Sequence, residues 1–363
     1  MIRIATIGTN TITSVFIDAI SQTPGATFIG ACSRDAERAA KFTAEHGGAY
    51  SFASVEEMAS HPEVDAVYVA SPNALHHDHA LTCIAGGKHV FVEKSFCANQ
   101  REAREVFGAA DAAGVVAFDG MRPLHDPAFY AIRDTLPQLG TIRRATIRFG
   151  KYSTRYEDIL AGRHSNVFDC NLATGSLMDI GIYSVEPLIA LFGAPTSVKA
   201  AGALLDESLY DLTNGPIDCA GIILATYPNM VASTHHAKNV NDLAESQIEG
   251  ELGTLTIDAI ANPEHVRLDM RVQNPSLGSL GYSVAQTVTS ELELPAQPAN
   301  LMLHEVEDFT AACEAVAAGT KPAEAPAGPF GTVGSFRAVT LASLAVMDEA
   351  RRQMGVTFPA DKQ

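Results

Sequence analysis

The sequence predicts an α/β region in the first third of the chain, followed by an α+β region built on a large open sheet. Over residues 1–120, short and almost wholly apolar segments alternate with amphipathic helical segments, as in a doubly wound parallel sheet that helices cover on both faces. From residue 121 the strands follow one another with few helices between them, so most should pair antiparallel. We therefore expect two domains, residues 1–120 and 121–363.

Strands and helices alternate strictly in the first region. Its apolar runs predict strands over residues 2–7, 27–32, 65–70, 89–94 and 115–118. The amphipathic stretches between them predict helices over residues 14–20, 36–45, 76–85 and 99–113. In a parallel sheet of this kind, the carboxyl ends of the strands border the crevice where ligands bind.

Strand patterns dominate the second region. After a helix over residues 127–135, strands are predicted over residues 144–149, 198–204, 219–227, 230–236, 247–251, 255–258 and 266–272. Residues 227–230 and 251–254 have the composition of hairpin turns. Two helices, residues 302–318 and 334–354, close the chain, and the second should pack back toward the first domain. An open sheet with one free face commonly forms a subunit interface, so we expect a homodimer or homotetramer.

The overall composition is that of an acidic globular protein. Hydrophobic residues make up 47% of the chain and charged residues 18%, and the formal net charge is −17. Nucleic acid and anionic membrane surfaces both require a basic face on their partner. We therefore exclude both as partners and expect a small-molecule substrate.

The cysteines and the first residues indicate the compartment. The six cysteines are scattered without a CxxC pair, and several lie in apolar runs, so we expect buried thiols in a reducing environment. The chain runs straight into its first strand, which leaves no room for a signal peptide. No apolar stretch is expected to reach membrane-spanning length. These features predict a cytoplasmic protein.

Two short segments carry the polar groups best placed for chemistry. The predicted strand over residues 89–94 ends on Glu93 and Lys94, which places the lysine in the ligand crevice. Asp179 and Tyr183 lie four residues apart in an apolar helical stretch, so they share one helix face. A lysine, a carboxylate and a phenol that converge can handle protons while a carbon–oxygen bond is oxidised or reduced. Lys94, Asp179 and Tyr183 are therefore the candidate catalytic residues.

Six short motifs occur along the chain in a fixed order. They are IGT at 7–9, ACSRD at 31–35, ASPNALH at 70–76, EK at 93–94, GSLMDIGIY at 175–183 and LHEVEDF at 303–309. With these motifs, roughly residues 2–358 resemble the Gfo/Idh/MocA family of NAD(P)-dependent oxidoreductases, which includes glucose–fructose oxidoreductase, inositol dehydrogenase and dimeric dihydrodiol dehydrogenase. The resemblance implies an N-terminal Rossmann domain, a C-terminal domain for substrate binding and oligomerisation, and activity on CH–OH groups.

The resemblance also implies roles for the residues of the catalytic set. The family lysine that matches Lys94 lies beside the nicotinamide and contacts the reacting oxygen, and the glutamate that matches Glu93 orients the site. Burial beside an oxidised nicotinamide would lower the pKa of Lys94, and Lys94 in turn would lower the pKa of Tyr183, so either residue could transfer the proton. The family often has histidine at the Tyr183 position. The tyrosine is typical of the dihydrodiol dehydrogenase and glucose–fructose oxidoreductase branches and disfavours inositol as substrate.

The first βα loop departs from the usual G-x-G-x-x-G pattern. Gly8 closes the first strand, but Thr9, Asn10, Thr11 and Ile12 follow it without a further glycine. Asn10 tolerates a positive φ, so the turn can survive, and polar side chains here can donate to phosphate at the helix N-terminus. The alternative is that these residues only cap the helix.

The residues after the second strand indicate the cofactor. NAD enzymes typically carry an acid there for the ribose 2′-hydroxyl, whereas this chain has Ser33 and Arg34, with Arg38 one turn later. A hydroxyl and a guanidinium suit a 2′-phosphate, so we expect NADP(H) as the preferred cofactor. Asp35 keeps NAD(H) possible, since it could take the role of the acid. The non-binding alternative is a capping Ser33 beside a solvated Arg34.

Further cofactor contacts follow from the resemblance alone. Family members cover the adenosine and pyrophosphate after the third predicted strand and reach the nicotinamide end after the fifth, which implicates Ser71, Pro72, Asn73, His76 and Arg122. The neighbouring His77 and His79 do not gather with His76 into a set of three ligands on one helix, so no metal is expected.

These residues together predict an NADP(H)-dependent enzyme. It would move a hydride between nicotinamide and a secondary alcohol or ketone of a sugar, polyol or cyclic diol. Two alternatives stay open: a non-catalytic regulator of the same fold that senses dinucleotide, and a glycosidase that retains NAD. Lys94, Asp179 and Tyr183 together favour the enzyme, because a regulator has no need of that set.

Overall fold

Six strands near the start of the chain form a parallel sheet. In the computed structural model, which describes residues 1–272, 287–329 and 331–362, these strands are β1 (Ile2–Ile7), β2 (Ala26–Cys32), β3 (Tyr50–Phe52), β4 (Ala66–Val69), β5 (His89–Glu93) and β6 (Ala117–Gly120). Their spatial order is β3-β2-β1-β4-β5-β6, and each pairing is parallel. The order reverses between β1 and β4, so the predicted doubly wound sheet is confirmed and its crevice lies between those strands.

Helices cover both faces of this parallel sheet. The helices of this region are α1 (Thr11–Gln22), α2 (Ala36–Glu45), α3 (Val55–Ser60), α4 (His76–Ala85) and α5 (Gln100–Ala113). One core cluster joins α3, α4 and α5 to the sheet. The opposite cluster joins α1 to Val306 and Phe309 of a helix near the end of the chain. The sequence pattern missed β3, because this three-residue strand exposes Tyr50 and Ser51 and buries only Phe52.

Eight strands form a second, open sheet. They are β7 (Ile142–Gly150), β8 (Ser197–Leu204), β9 (Asp218–Thr226), β10 (Val231–Ala237), β11 (Ser246–Gly250), β12 (Gly253–Ile257), β13 (Val266–Arg271) and β14 (Thr287–Glu291). Their order is β14-β13-β12-β11-β7-β10-β9-β8. The pairing of β7 with β10 is parallel, and the others are antiparallel, as predicted for most of them. Both predicted turns are confirmed, between β9 and β10 and between β11 and β12.

The remaining α-helices of the described residues lie after the parallel sheet in the chain. They are α6 (Pro127–Thr135), α7 (Thr154–Leu160), α8 (Ile182–Phe192), α9 (Tyr210–Thr213), α10 (Leu303–Ala317) and α11 (Val333–Met354). α11 packs on α8 and β8 of the second region and also on α5 and β6, as expected for the closing helix. α10 completes one face of the parallel sheet, which the sequence did not indicate. The domain limits 1–120 and 121–363 stay a prediction.

One face of the open sheet carries exposed apolar side chains. Ile222 and Leu224 of β9 are each 48% exposed, and Val231 of β10 is 47% exposed. The paired strands place these residues on the same side of the sheet. This face is where the predicted homodimer or homotetramer would form, and the oligomeric state stays a prediction.

The burial of two sets of residues can be compared with what the sequence predicted for them. The six cysteines are buried free thiols, as predicted. The expectation that no stretch reaches membrane-spanning length was wrong: within the described ranges, the helical stretch Cys170–Phe192 is long and apolar enough by composition to cross a membrane. It passes that test because it is a core segment, and 72% of its most apolar window is buried inside the protein.

Candidate active site

Two adjoining cavities open at the carboxyl ends of the parallel strands. The strand-end cavity has a volume of about 1100 Å³, and its wall includes Thr11, Ile12, His76, Glu93, Lys94, Gly120, Arg122, Tyr183 and Glu305. The loop cavity has a volume of about 710 Å³, and its wall includes Gly8, Thr9, Ser33, Arg34, Arg38, Pro72, Asn73 and Asp179. Both are bordered by Asn10, Ala70 and Ser71. They therefore form one cleft beside the point where the strand order reverses.

Lys94 and Asp179 meet at the junction of the two cavities. The ammonium of Lys94, directly after β5, donates to the backbone carbonyl of Asp179 at 2.8 Å and to its Oδ1 at 3.1 Å. The ammonium of Lys238, directly after β10, donates to Oδ2 of the same carboxylate. Asp179 thus accepts hydrogen bonds from two lysines, one at the end of a strand of each sheet. Sequence reasoning missed Lys238, although a lysine directly after a buried strand was the signal that identified Lys94.

The segment that carries Asp179 is not the expected α-helix. Leu177–Gly181 forms a π-helical turn, and α8 begins only at Ile182. Side chains from the loop after β5 contact its backbone: Ser95 Oγ donates to the carbonyl of Met178 at 2.8 Å, and Lys94 donates to that of Asp179. Such insertions into the helical ladder produce bulges, which are frequent at functional sites.

Tyr183 lies beside the lysine. The Lys94 Nζ atom is 5.3 Å from the centre of the Tyr183 ring, and the ring of Phe149 on β7 lies 5.1 Å away on a tilted plane. The structure therefore brings together the three residues predicted from two distant segments. The arrangement gives the phenol a cationic neighbour at the wall of the strand-end cavity.

Burial and charge set the protonation of this set. Burial acts to lower the pKa of Lys94, as expected, but Asp179, Tyr183 and Glu93 together outweigh it, and the pKa is raised. Burial acts to raise the pKa of Asp179, yet the two lysines hold the pKa of this carboxyl well below its usual range. At Tyr183 the charge of Lys94 acts to lower the pKa, as expected, but burial outweighs it and raises the pKa above its usual range.

Glu93 lines the same cavity as Lys94, and its hydrogen bond is made outside the ion cluster. Its Oε1 accepts a hydrogen bond of 2.5 Å from the hydroxyl of Tyr68 on β4. Arg122 lies across the same cavity and donates from Nη2 to the carbonyl of Ala261 at 2.8 Å. Both residues therefore border the strand-end cavity from the ends of β5 and β6.

The first βα loop turns at Gly8 rather than at Asn10. Gly8 has a φ of +117°, whereas Asn10 is extended at −102° and caps α1 through a 3.0 Å hydrogen bond from the Thr13 amide. The expected positive φ at Asn10 was wrong, because Gly8 already supplies the turn. A Cβ on Gly8 would lie 2.9 Å from the Ala70 carbonyl oxygen, so the close approach of β1 and β4 requires glycine.

The start of α1 fits a dinucleotide. Thr11 and Ile12 are its first two residues, they are exposed, and they line the strand-end cavity. The first amides of a helix have no partner within the helix and carry a partial positive charge, which suits a pyrophosphate. The side chain of Asn10 caps only the third amide of the helix, so capping and phosphate binding are compatible here.

Cations gather in the loop cavity where a 2′-phosphate would lie. Arg38 reaches back from α2 and donates to the Thr9 carbonyl at 3.1 Å, while Arg34 lies exposed at the cavity wall. Asp35 is the N-cap of α2, and its Oδ1 accepts the Arg38 amide at 3.1 Å. The acid that could have served a ribose hydroxyl is therefore engaged in capping the helix.

The loop after β4 is held mainly by its own polar groups. Asn73 donates to the Ala173 carbonyl at 3.0 Å, and the Ser71 hydroxyl contacts His79 Nδ1 at 3.0 Å. His76 was expected to contact the cofactor. Its ring nitrogens lie 3.0 Å and 2.7 Å from the carbonyl oxygens of Ser95 and Ser71. Burial lowers the pKa of His76 to about 4, so the neutral ring donates to only one of these two carbonyl groups. The ring also lines the strand-end cavity, and its contact with the cofactor stays a prediction.

Comparisons with known proteins agree with this architecture. Residues 2–121 match the family model "Oxidoreductase family, NAD-binding Rossmann fold", GFO_IDH_MocA. Residues 137–256 match the model "GFO/IDH/MocA C-terminal domain". The NADP(+)-dependent scyllo-inositol 2-dehydrogenase IolU of Bacillus subtilis is 36% identical over 100% of both chains.

Two further proteins are more distant. The trans-1,2-dihydrobenzene-1,2-diol dehydrogenase of Mus musculus is 27% identical over 92% of this chain and 91% of its own. Among solved structures, the 3-ketoreductase KijD10 of Actinomadura kijaniata, in complex with TDP-benzene and NADP, superposes with a TM-score of 0.74 at 20% identity. That alignment covers 97% of this chain and 98% of the other, and it supports the fold alone.

Proposed function

The chain belongs to the Gfo/Idh/MocA family of NAD(P)-dependent oxidoreductases of the sugar and polyol type, and from this premise we propose that it moves a hydride between NADP(H) and a ring carbon of a cyclic polyol or diol. The observation that carries the proposal is the Lys94–Asp179–Lys238 cluster with Tyr183 beside it, at the end of β5 in the cleft. This set offers a fixed cation and a phenol to one reacting oxygen.

The relatives' names narrow the substrate class. One is named for scyllo-inositol and another for a trans-dihydrobenzenediol, and both substrates are six-membered rings with neighbouring hydroxyl groups. The argument from Tyr183 against inositols is therefore set aside, and inositols stay within the proposed class. The cleft suits such a ring because ionic and aromatic groups border it together.

The preference for NADP(H) rests on the loop cavity. Arg34 and Arg38 lie where the second strand ends, and Ser33 precedes them with its Oγ accepting the Asp35 amide at 3.2 Å. A guanidinium stabilises a 2′-phosphate through charge-assisted hydrogen bonds. NADP is also in the name of the inositol dehydrogenase relative.

Lys94 acts as the fixed cation of the reaction. Of its three N–H groups, two donate to Asp179, which leaves the third for the substrate oxygen. The carboxylates around it raise its pKa, so the ammonium stays charged while negative charge develops on that oxygen. A preorganised charge of this kind stabilises the transition state without moving. The bound dinucleotide supplies or accepts the hydride.

Tyr183 is the proton carrier in this proposal. Its phenol is protonated at neutral pH because burial raises its pKa, so it can donate to a carbonyl oxygen that receives a hydride. In the reverse direction the base is the phenolate, which the charge of Lys94 stabilises. This form takes the proton of the alcohol as the hydride leaves, so oxidation should become faster as the pH rises toward the raised pKa of Tyr183. Lys94 is a poorer carrier, since Asp179 and Glu93 favour its charged form.

Paired titrations with NADPH and NADH, followed by nicotinamide fluorescence, test the cofactor. Assays with NADP⁺ and a panel of inositols and cyclic diols then test the reaction. We expect tight NADPH, weak NADH and turnover of at least one ring polyol. Preference for NADH would move recognition to Asp35, and binding of neither dinucleotide would overturn the proposal.

A further inference from the structure

Glu305 is a fully buried acid at the wall of the strand-end cavity. It lies in the first turn of α10, its exposed fraction is 0%, and it lines the cavity together with Glu93 and Arg122. Within the described part of the chain, neither carboxyl oxygen of Glu305 has a hydrogen-bond partner. A buried polar group that lacks a hydrogen-bond partner is destabilising, so the two oxygens of Glu305 are available to a ligand in the cavity.

The surroundings of Glu305 favour its neutral form. Burial raises the pKa of the carboxyl well above its usual range, and the carboxylates of Glu93, Asp119 and Asp308 add to the effect. Arg122 is the charged group that opposes it. A neutral carboxylic acid presents one acceptor and one donor on the same edge, and a carboxyl kept neutral by burial can donate a hydrogen bond at neutral pH.

The position of Glu305 identifies the part of the dinucleotide it would meet. The cleft crosses the point where strand order reverses, so one half of a dinucleotide lies over β1 and β2 and the other over β4, β5 and β6. Ser33 and Arg34 belong to the first half of the cleft. Glu305 shares its cavity with Glu93 and Gly120, which end β5 and β6. The second half, where Lys94 also lies, is the nicotinamide half.

We propose that the neutral carboxyl group of Glu305 pairs with the carboxamide of the nicotinamide through two hydrogen bonds, and so fixes which face of the ring points toward Lys94 and Tyr183. The carboxamide is complementary to the acid, because its NH₂ donates to the acid carbonyl and its oxygen accepts from the acid hydroxyl. This pairing would satisfy both oxygens of Glu305 at once. The inference rests on the proposed dinucleotide function.

An analogue that lacks the amide NH₂ provides the test. In the 3-acetylpyridine analogue of NADP⁺ a methyl group replaces the NH₂, so the hydrogen bond to the acid carbonyl is lost. Calorimetric titration of the wild-type protein should give NADP⁺ a Kd about tenfold lower than that of the analogue, as expected for one buried hydrogen bond. Glu305→Leu should bind both dinucleotides with nearly the same Kd.

Two variants separate this contact from a structural role. Glu305→Gln keeps an acceptor and a donor on one edge, so it should retain most of the discrimination between NADP⁺ and the analogue. Glu307→Leu removes a carboxylate from the same helix, but its side chain is 43% exposed and pairs with His304, so it should leave the ratio of Kd values unchanged.

The outcomes distinguish this inference from the proposed function. If the wild-type protein binds neither dinucleotide, the proposed function fails. If it binds both and Glu305→Leu keeps the wild-type ratio, the Glu305 contact is wrong while the function stands. A change in the KM of the polyol with an unaltered ratio would place Glu305 against the substrate and would also overturn the inference.

Discussion

In the loop cavity the two arginines lie exposed, Arg34 just before α2 and Arg38 on it. At the junction with the strand-end cavity, by contrast, Lys94 and Lys238 lie against one carboxylate, and their side chains are only 18% and 7% exposed. The exposed arginines gain most of their interaction energy when a ligand arrives. The buried lysines reach their geometry when the protein folds. The first region is therefore suited to affinity and the second to transition-state stabilisation.

This difference has a kinetic signature. A change in the loop cavity should alter the Kd of the dinucleotide and leave turnover nearly unchanged. A change in the ion cluster should alter kcat, because its charge acts most strongly on the developing oxyanion. The following substitutions test this division, from the largest expected effect to the smallest.

Lys94→Ala should lower kcat by about 10³-fold or more, since it removes the fixed cation and leaves Asp179 without one of its partners. The Kd for NADPH should stay within a few-fold. Steady-state kinetics and fluorescence titration measure the two quantities. Lys41→Ala, at a lysine whose side chain is 79% exposed, is the matched control. Comparable turnover in Lys94→Ala would refute the assigned role.

Tyr183→Phe should lower kcat by about 10²-fold, the lower end of the range for general acid–base catalysis, because water can replace the phenol in part. The pH profile sharpens this test. Burial raises the pKa of Tyr183 above the usual 10, so the phenol is protonated up to about pH 10, and the rate of carbonyl reduction should fall only above it. A profile of the same shape in Tyr183→Phe would assign the proton to another group.

Arg34→Ala should weaken NADPH binding by about 2 kcal/mol, roughly 30-fold, for a lost charge-assisted contact. NADH binding and kcat at saturating NADPH should change little. Titrations at low and high salt give a second readout, since screening weakens an exposed contact. Arg352→Ala, at a 71% exposed arginine of α11, should have no effect. Equal losses for NADPH and NADH would remove the 2′-phosphate assignment.

Lys238→Met should lower kcat by about tenfold, as one of the two cations that hold Asp179 is lost while Lys94 keeps its own contacts. The Kd for NADPH should stay constant, since the contact of Lys238 is with the Asp179 carboxylate and not with the arginines after β2. Rescue by Lys238→Arg would show that the charge is what matters. A loss of dinucleotide affinity with unchanged kcat would contradict the division between the two regions.

Asn10→Ala should have the smallest effect, a loss of about 1 kcal/mol in the free energy of unfolding for a removed N-cap. Urea unfolding measures it, and Asn10→Ser, which retains a capping oxygen, is the control. The Kd of the dinucleotide should change by less than it does in Arg34→Ala, because the first two backbone amides of α1 remain available to phosphate. A larger loss of affinity than of stability would mean that the Asn10 side chain itself contacts phosphate.

Much of the fold could be predicted because its signals are local. Apolar runs such as residues 65–70 and 89–94 identify buried parallel strands without reference to the rest of the chain. The two hairpin turns of the open sheet were recognisable from four residues each. Segments with weak local patterns were missed: β3 has three residues, β14 exposes every side chain, and α7 is a short polar helix.

The candidate site was predictable only in part. The sequence placed Lys94 at a strand end and paired Asp179 with Tyr183, and the structure brings the three together. It did not reveal that the Asp179 turn is π-helical, because the Ser95 and Lys94 side chains that contact that turn come from about 80 residues earlier in the chain. Nor did it reveal that the ring of His76 lies against two backbone carbonyl groups.

By itself, then, the sequence determined the two kinds of sheet, the end of the sheet where the cleft lies and the residue types available to it, since periodicity and strand ends are properties of short segments. The tertiary structure decided the partners. Lys238 reaches Asp179 across 59 residues, and Glu305 meets the cleft from the closing part of the chain. The direction in which each pKa moves followed from those contacts, because burial and neighbouring charge exist only once distant segments have packed together.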